Sequence, residues 1–538
     1  MHETRSLLLI YVALLFLPQI VISQSLPGDI NGDSKVDSTD IARGVQIALG
    51  KLPPATQNEI AAGDMNRDGC ITVQDLVFIR NTIAGVNRPP VADASASPDS
   101  GLAGTNIQLD ATRSFDLDGD TLTYRWRQLH MNRYSTEYMT ENEAILSDST
   151  SATPTFNPEW PGNYRFELQL KEPTSITDLD TVDVLVSKVG VRHFDAEGLI
   201  FYDVFGELGG PHFDVTPDNS DSLAAVQNRA MDAAMRIGAG WIGVVPAAFY
   251  QRIAPLPQIK PENNSISLTN EKDYAAIVAS AHSKGFKISH TEQVAPGFNL
   301  RAGELDSLEF YKSQHQWWAS WFDQWEKYLL PRAELAEKYG ADMLSVLLGA
   351  EDTFRPSAFP EYGNRWRAII DSVRLRYSGI IAIDVYGTTD LDFADAIDVL
   401  RIGVFPGMYL GMGIISDTHN PTVQEIRQIT ETFFDWFETD VGSKVPVYFA
   451  FQANSSDAQV ESEPPPPVTD IDYGEQVVYY EGFLEALEDE SWVSGLFSQR
   501  WDWFDGLDHP GIFFDSMTGN SPRNKPVEQL IKLWYGIY

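Results

Sequence analysis

Cysteine occurs once in the 538 residues, as Cys70, so no disulfide can form within the chain and stability has to come from packed cores and bound ions. Basic residues are scarce as well: 39 Lys and Arg stand against 76 Asp and Glu, a formal net charge of -37. A phosphate backbone is met by clustered Lys and Arg, so this balance argues against a nucleic-acid partner and favours a neutral or cationic one. No Gly-rich nucleotide loop follows any strand-like run, and His282, His290 and His315 have no metal-ligand spacing. One long apolar run exists, Leu7 to Ile22, preceded by Arg5 and interrupted by Pro18 and Gln19. It is shorter than the ~20 residues of a membrane span and reads as a secretory signal peptide over residues 1–23 rather than an anchor helix. The chain is therefore expected to be secreted, extracellular or surface-associated, and is long enough for several domains.

What the sequence does contain begins with an internal repeat, GDINGDSKVDSTDIARGVQIALG followed by GDMNRDGCITVQDLVFIRNTIAG. Asp29, Asn31, Asp33 and Asp40 occupy positions one, three, five and twelve of the first unit, and Asp64, Asn66, Asp68 and Asp75 occupy the same positions of the second. Alternate oxygen side chains at this spacing line one side of a tight loop, and the residue at twelve closes the shell from the following helix. Position seven contributes a backbone carbonyl, from Lys35 and Cys70, which leaves the Cys70 thiol without a chemical role. Two calcium ions are expected. The segment 26–86 resembles a type I dockerin, including aspartate at position twelve and the helical stripes Ile41, Val45, Leu49 and Leu76, Ile79, Ile83. The resemblance implies calcium-dependent folding and docking onto a cohesin-bearing protein. Two departures stand out: Ser34 takes the sixth position, where glycine is usual, and the pair Ser38-Thr39 of the first repeat becomes Val73-Gln74 in the second.

Asn87-Arg88-Pro89-Pro90 ends the helical pattern, and residues 87–188 change to short alternating runs such as TNIQLDA, LTYRWRQL, YRFELQL and TVDVLVS. Period-two runs between turn-rich stretches predict a β-sandwich. With DLDGDTLTYRW and GNYRFELQL it resembles PKD or immunoglobulin-like modules, with Trp126 in the core and a spacing role implied.

From residue 191 to 538 strand-like and helix-like runs alternate. The strand candidates are GLIFYDV, WIGVVPAAFY, KISHTEQV, DMLSVLLGAED, IIAIDVYG, VLRIGVFPGMY, VPVYFAFQAN and SGLFSQRWDW. Helical runs include SLAAVQNRAMDAAMRIG, DYAAIVASAHSKG, WRAIIDSVRLRYSG and VEQLIKLWYG. Eight such units predict a (β/α)8 TIM barrel, a closed parallel sheet whose functional groups gather at the C-terminal strand ends. Those ends carry Asp203, Tyr250, Gln251, His290, Glu292, Glu351, Asp352, Asp384, Tyr386, Tyr409, Gln452, Asn454, Arg500, Trp501, Asp502 and Trp503. Carboxylates interleaved with aromatic rings suit a sugar cleft, since rings stack on pyranose faces and glycosidic cleavage uses two carboxyl groups. Glu351 follows a wholly apolar run, where burial raises a carboxyl toward the range of a general acid. Tyr250, Tyr386, Tyr409, Gln452, Trp501 and Trp503 are the candidate sugar contacts.

The barrel runs GADMLSVLLGAED, RWRAIIDSVRLRYSG, WIGVVPAAFYQ, WVSGLFSQRWDWFD and KPVEQLIKLWYG resemble clan A glycoside hydrolases, with family 113, associated with β-mannan hydrolysis, as the nearest pattern. The resemblance implies an acid/base at Glu351 and a glutamate nucleophile at the end of strand seven. VPVYFAFQANSSDA holds none there; the position falls on Phe451 or Gln452. Glu292, Asp384 and Asp502 are the candidate replacements, with Asp457, Glu461 and Glu463 of the following loop behind them. The expected function is an extracellular hydrolase of a β-linked polysaccharide with no cofactor in the barrel. A sugar-binding barrel without turnover, and a structural component assembled through the dockerin-like module, are the alternatives.

Overall fold

The computed structural model describes residues 26–51, 55–131, 137–187, 194–202, 223–261, 271–296, 307–386, 391–411, 421–440, 445–455, 471–501 and 521–535. The repeat folds as three helices, α1 (Ser38–Ala48), α2 (Gln57–Gly63) and α3 (Val73–Ile83), each opened by a capping box that satisfies the first backbone N–H groups. Ile30, Met65, Ile71, Leu76 and Ile79 form their core, with Ile41 and Val45 packed against it. Leu49 and Ile83, expected on the same stripes, lie at the ends of their helices beyond that core and are 60% and 41% exposed.

Seven strands follow: β1 (Ser95–Ser97), β2 (Ser100–Leu102), β3 (Ile107–Asp110), β4 (Thr123–Leu129), β5 (Thr155–Phe156), β6 (Gly162–Lys171) and β7 (Thr177–Ser187). They make two sheets, ordered β1-β3-β5 and β2-β7-β6-β4. In β6 buried and half-buried residues alternate along the strand, which is the period-two signature of one face turned to a core. Trp126 lies in that core, its indole N–H donating to the Ser151 carbonyl at 3.1 Å.

The remaining chain closes into a barrel. Strands β8 (Ala196–Tyr202), β9 (Trp241–Val245), β12 (Lys287–Pro296), β13 (Met343–Ala350), β14 (Ile380–Tyr386), β15 (Val399–Val404), β16 (Val447–Phe451) and β17 (Val493–Ser498) pair in parallel around the circle, and β17 returns to β8. The second barrel strand continues beyond Pro246 as β10 (Ala247–Arg252), which pairs with β12 and with the antiparallel β11 (Gln258–Pro261). Around the barrel lie α4 (Leu223–Arg236), α5 (Glu271–Ser283), α6 (His315–Tyr339), α7 (Tyr362–Arg374), α8 (Val423–Asp440), α9 (Tyr473–Leu487) and α10 (Pro526–Trp534). The fifth unit has a short 3₁₀ turn, Ala394–Ala396, where a helix would stand. Outward strand residues such as Ile383, Val385 and Phe449 join the helices in one large core, whereas Trp241, Tyr448, Ala450 and Phe497 fill the interior.

The sandwich does more than space the modules. Its Met131, Tyr138 and Met139 join the barrel's outer core, every residue of α9 is buried, and Arg427 of α8 lies 4.6 Å from the ring of Trp160. Glu481 of α9, fully buried, accepts hydrogen bonds from Thr140 Oγ1, Asn142 Nδ2 at 2.7 Å and the Glu141 N–H at 3.2 Å. Burial and the neighbouring Glu485 push the Glu481 carboxyl well above its ordinary range.

Candidate active site

The two acidic loops are superimposable in their hydrogen bonding. Asp29 accepts the N–H groups of Asp33 at 3.0 Å and Ser34 at 2.7 Å; Asp64 accepts those of Asp68 at 3.0 Å and Gly69 at 2.8 Å. Asn31 and Asn66 each accept the N–H two residues on, at 2.9 and 3.1 Å, and Asp33 and Asp68 do the same to Lys35 and Cys70, at 2.9 and 3.1 Å. The closing residues Asp40 and Asp75 are fully buried and reach back to the loop, accepting the N–H of Asn31 at 3.0 Å and that of Met65 at 2.8 Å. Ser34 carries φ +68° where its counterpart Gly69 has +93°, so the sharp turn forms without glycine at a cost of about 1–2 kcal/mol. An all-oxygen donor set folded around one point in each loop fits calcium. The Cys70 thiol is exposed and donates to Asp68 at 3.1 Å, leaving the carbonyl as the group position seven offers.

In the barrel, strand alternation decides which candidates reach the interior. Ser289 and Thr291 of β12, Asp384 and Tyr386 of β14, and Arg401 and Gly403 of β15 turn inward. Arg401, only 1% exposed, donates from Nε to Asp384 Oδ1 at 2.9 Å and from Nη1 to Ser289 Oγ at 2.9 Å, while Nη2 reaches Thr291 and the other Asp384 oxygen. Its guanidinium lies 5.0 Å above the ring of Phe497. A small gap, with room for about one water molecule, lies beside this pair and is lined also by Thr291, Leu348 and Gln499. Above it, Tyr386 caps β14, accepting a hydrogen bond from Gln499 Nε2 and packing edge-on to Phe405 at 6.1 Å. Glycine is required at 403, because a Cβ there would come within 2.6 Å of the Tyr386 ring.

Glu351 begins the helical turn Glu351–Phe354 directly after β13, one residue past the Ala350–Tyr386 pair at the rim; its side chain lies outside the described residues. At strand seven, Phe451 faces outward and stacks on Phe483 of α9 at 4.1 Å, so the inward phase after Tyr448 and Ala450 passes to the half-buried Gln452. Asp502 and Trp503 lie outside the described residues, as does the side chain of Tyr409 in the short helix Pro406–Gly411.

Three sequence candidates are corrected. Glu292 points away from the cleft into the layer between β12 and helices α5 and α6. There it accepts from Arg332 Nε at 2.6 Å, from the Tyr328 hydroxyl at 2.5 Å and from His290 Nε2, while His290 Nδ1 accepts from the Tyr274 hydroxyl at 2.9 Å. Burial pushes the Glu292 carboxyl up, but Arg332 and His290 outweigh it and bring it down to about 2; burial also lowers His290. A permanently ionised, outward carboxylate is a structural ion pair. Tyr250 is also turned outward, 8% exposed, its hydroxyl accepting from Trp321 Nε1 at 2.7 Å. Trp501 is fully buried, with its indole N–H on the Ala230 carbonyl at 3.2 Å, and belongs to the core. Asp384 does face inward, yet both its oxygens are held by Arg401.

Sequence reasoning passed over Arg401 and Gln499. The signal for Arg401 was present: a lone charge inside VLRIGV, an otherwise aliphatic strand, has to find an internal counter-charge.

The sequence model of Glycoside Hydrolase Family 113 matches residues 219–510, more than half of the chain. The chain belongs to glycoside hydrolase family 113. The model of the dockerin type I domain matches residues 27–84, ahead of the family 113 barrel. No curated protein sequence matches the chain. Among solved structures, a GH113 β-1,4-mannanase in complex is 18% identical, covering 64% of this chain and 99% of its own, with a TM-score of 0.46. The GH113 β-mannanase of Alicyclobacillus acidocaldarius, in complex with ManMIm, is 18% identical over 64% of this chain and 97% of its own, with a TM-score of 0.46. A family 5 mannosidase from Rhizomucor miehei is 11% identical over 65% of this chain and 94% of its own, with a TM-score of 0.44.

Proposed function

We propose that the barrel hydrolyses a β-linked, mannan-type polysaccharide outside the cell, with Glu351 as general acid/base, and that the dockerin module binds two calcium ions and docks the enzyme onto a cohesin-bearing partner. One observation carries the reading: in a family 113 chain, Glu351 follows β13 at the C-terminal rim, one residue past the pair that Ala350 makes with the inward Tyr386, above the buried Arg401–Asp384 pair. A glutamic acid there donates a proton to the leaving glycosidic oxygen, and its partner carboxylate attacks the sugar or activates water. Glu292 faces away and Asp384 is committed to Arg401, so Asp502, which follows β17 in sequence, is the first partner proposed, ahead of Asp457, Glu461 and Glu463. Tyr386 and Gln452 line the sugar path, Gln499 orients the Tyr386 hydroxyl, and Tyr409 and Trp503 stay candidate sugar contacts from the sequence.

Gln452 on the inward phase of strand seven favours a second reading, a barrel that binds mannan and does not cut it. Reducing-sugar release by the whole chain from mannan, glucan, xylan and galactan separates the two. Hydrolysis of mannan that falls at least ~10²-fold in Glu351→Gln and in Asp502→Asn supports the enzyme. Mannan affinity without release, in a folded chain, selects the second reading, and Gln452→Glu is then expected to introduce turnover.

A further inference from the structure

Outside the barrel and the two acidic loops, the described residues hold one further group of converging carboxylates. Asp116 and Asp120 come from the DLDGD loop between β3 and β4, and Glu172 follows the end of β6; one oxygen of each lies within 4.8 Å of the others. Proximity of acids alone would mean little at a protein surface. Here Glu172 is only 2% exposed, and its Oε2 is buried with no hydrogen-bond donor, as is Asp116 Oδ2. Each carboxylate uses its other oxygen structurally. Glu172 Oε1 accepts from Asn87 Nδ2 and Thr174 Oγ1, both at 2.6 Å, and Asp116 Oδ1 accepts the N–H groups of Asp118 at 2.7 Å and Asp120 at 3.1 Å. The nearby cation Arg88 does not neutralise the group, because its guanidinium is taken by Asp118, the Leu117 and Phe78 carbonyls and Thr82.

A buried carboxylate oxygen without a donor is costly unless a cation supplies the missing partner. We infer that Asp116, Asp120 and Glu172 form a divalent-cation site in the sandwich, suited to calcium. Three carboxylates with no nitrogen or sulfur among them are a hard-oxygen set, and a site open on the Asp120 side leaves room for the water ligands that calcium takes in its six- to eight-fold shell. The site sits at the joint between modules: Asn87, which donates to Glu172, and Arg88, which binds the same loop through Asp118, are the residues connecting α3 to the sandwich. A bound ion would fix that joint, so calcium would order both the dockerin module and its attachment.

The test is calcium stoichiometry on the whole chain, stripped with chelator and titrated with calcium chloride alone. In Asp40→Ala/Asp75→Ala, which removes the closing ligand of both dockerin loops, one ion per chain is expected to remain, and adding Asp120→Asn should abolish it. Glu172→Gln in the otherwise unaltered chain should bind one ion fewer than the original. No ion left in the Asp40→Ala/Asp75→Ala chain, or unchanged stoichiometry in a folded Glu172→Gln chain, overturns the proposal. Neither outcome depends on whether the barrel is active.

Discussion

Glu292→Gln distinguishes a buried structural ion pair from a catalytic carboxylate. The substitution keeps the shape of the side chain and removes the charge that Arg332 faces, leaving a guanidinium whose side chain is 7% exposed without its anion. Breaking one partner of a buried pair costs about 3–5 kcal/mol. The carboxyl itself gives a similar figure: its drop from 4.5 to about 2 corresponds to about 3 kcal/mol at ~1.4 kcal/mol per unit. For a barrel of roughly 350 residues, unfolding entropy of ~0.7 kcal/mol/K turns this into a fall of about 4–7 °C in its thermal midpoint. The sign with pH follows from the folded value lying below the unfolded one. Stability from Glu292 is complete above pH 4.5 and is lost as pH falls toward 2. His290 adds to this, since its folded value lies below 6.5 and the unfolded chain takes up that proton first. Thermal scans of wild type and Glu292→Gln between pH 7 and pH 3 should show the gap between them narrowing with acid, with mannan hydrolysis per folded molecule within about two-fold at 20 °C. A turnover loss beyond ~10²-fold with an unchanged midpoint would refute the structural assignment.

Arg401→Met alone should destabilise the barrel by about 3–5 kcal/mol by stranding Asp384, and the double change Arg401→Met/Asp384→Leu should recover much of it; additive losses in denaturant titrations would contradict a mutually dependent pair. Trp501→Ala should cost about 3–5 kcal/mol and leave KM for mannan unchanged, as expected of a core residue; a raised KM with unaltered stability would return it to the cleft. Glu481, held above its ordinary range by burial, is protonated more readily in the folded chain, so the docking of sandwich on α9 should weaken as pH rises above 4.5, and this slope should flatten in Glu481→Gln. An identical slope in the two proteins, read from the unfolding midpoint, would locate the titration elsewhere.

The acidic loops of the dockerin module were legible because every candidate ligand sits within twelve residues of the first, and local spacing alone dictates which oxygens converge. Capping chemistry added to this: Asp40 and Asp75 close a loop and open a helix at once. The barrel was legible as a repeating period, since each strand and helix announces its own buried face. Membership of the rim by strand end was also readable, which is why Glu351, Tyr386 and Gln452 were found.

What the periodicity could not supply was the direction of each side chain at that rim. One extra residue between Ser345 and Leu348 bulges β13 against both β12 and β14, and elsewhere the inward or outward phase of a strand is set only when the sheet closes, since a single-residue shift exchanges the interior for the helix layer. Glu292 and Tyr250 lie on the outward phase of their strands, with Ile288 and Ala248, and Trp501 lies beyond the end of β17; partners far away in sequence, Arg332, Trp321 and Ala230, take up their polar atoms. The meeting of Arg401 with Asp384, of Glu172 with Asp116, and of Glu481 with the sandwich likewise joins residues separated by whole elements. The sequence by itself determined the modules, the local acidic loops and the alternation that closes the barrel, all of them governed by neighbours within a turn or two. Only the tertiary structure decided which charges face one another, because that depends on closure of the sheet and on the docking of one module against the next.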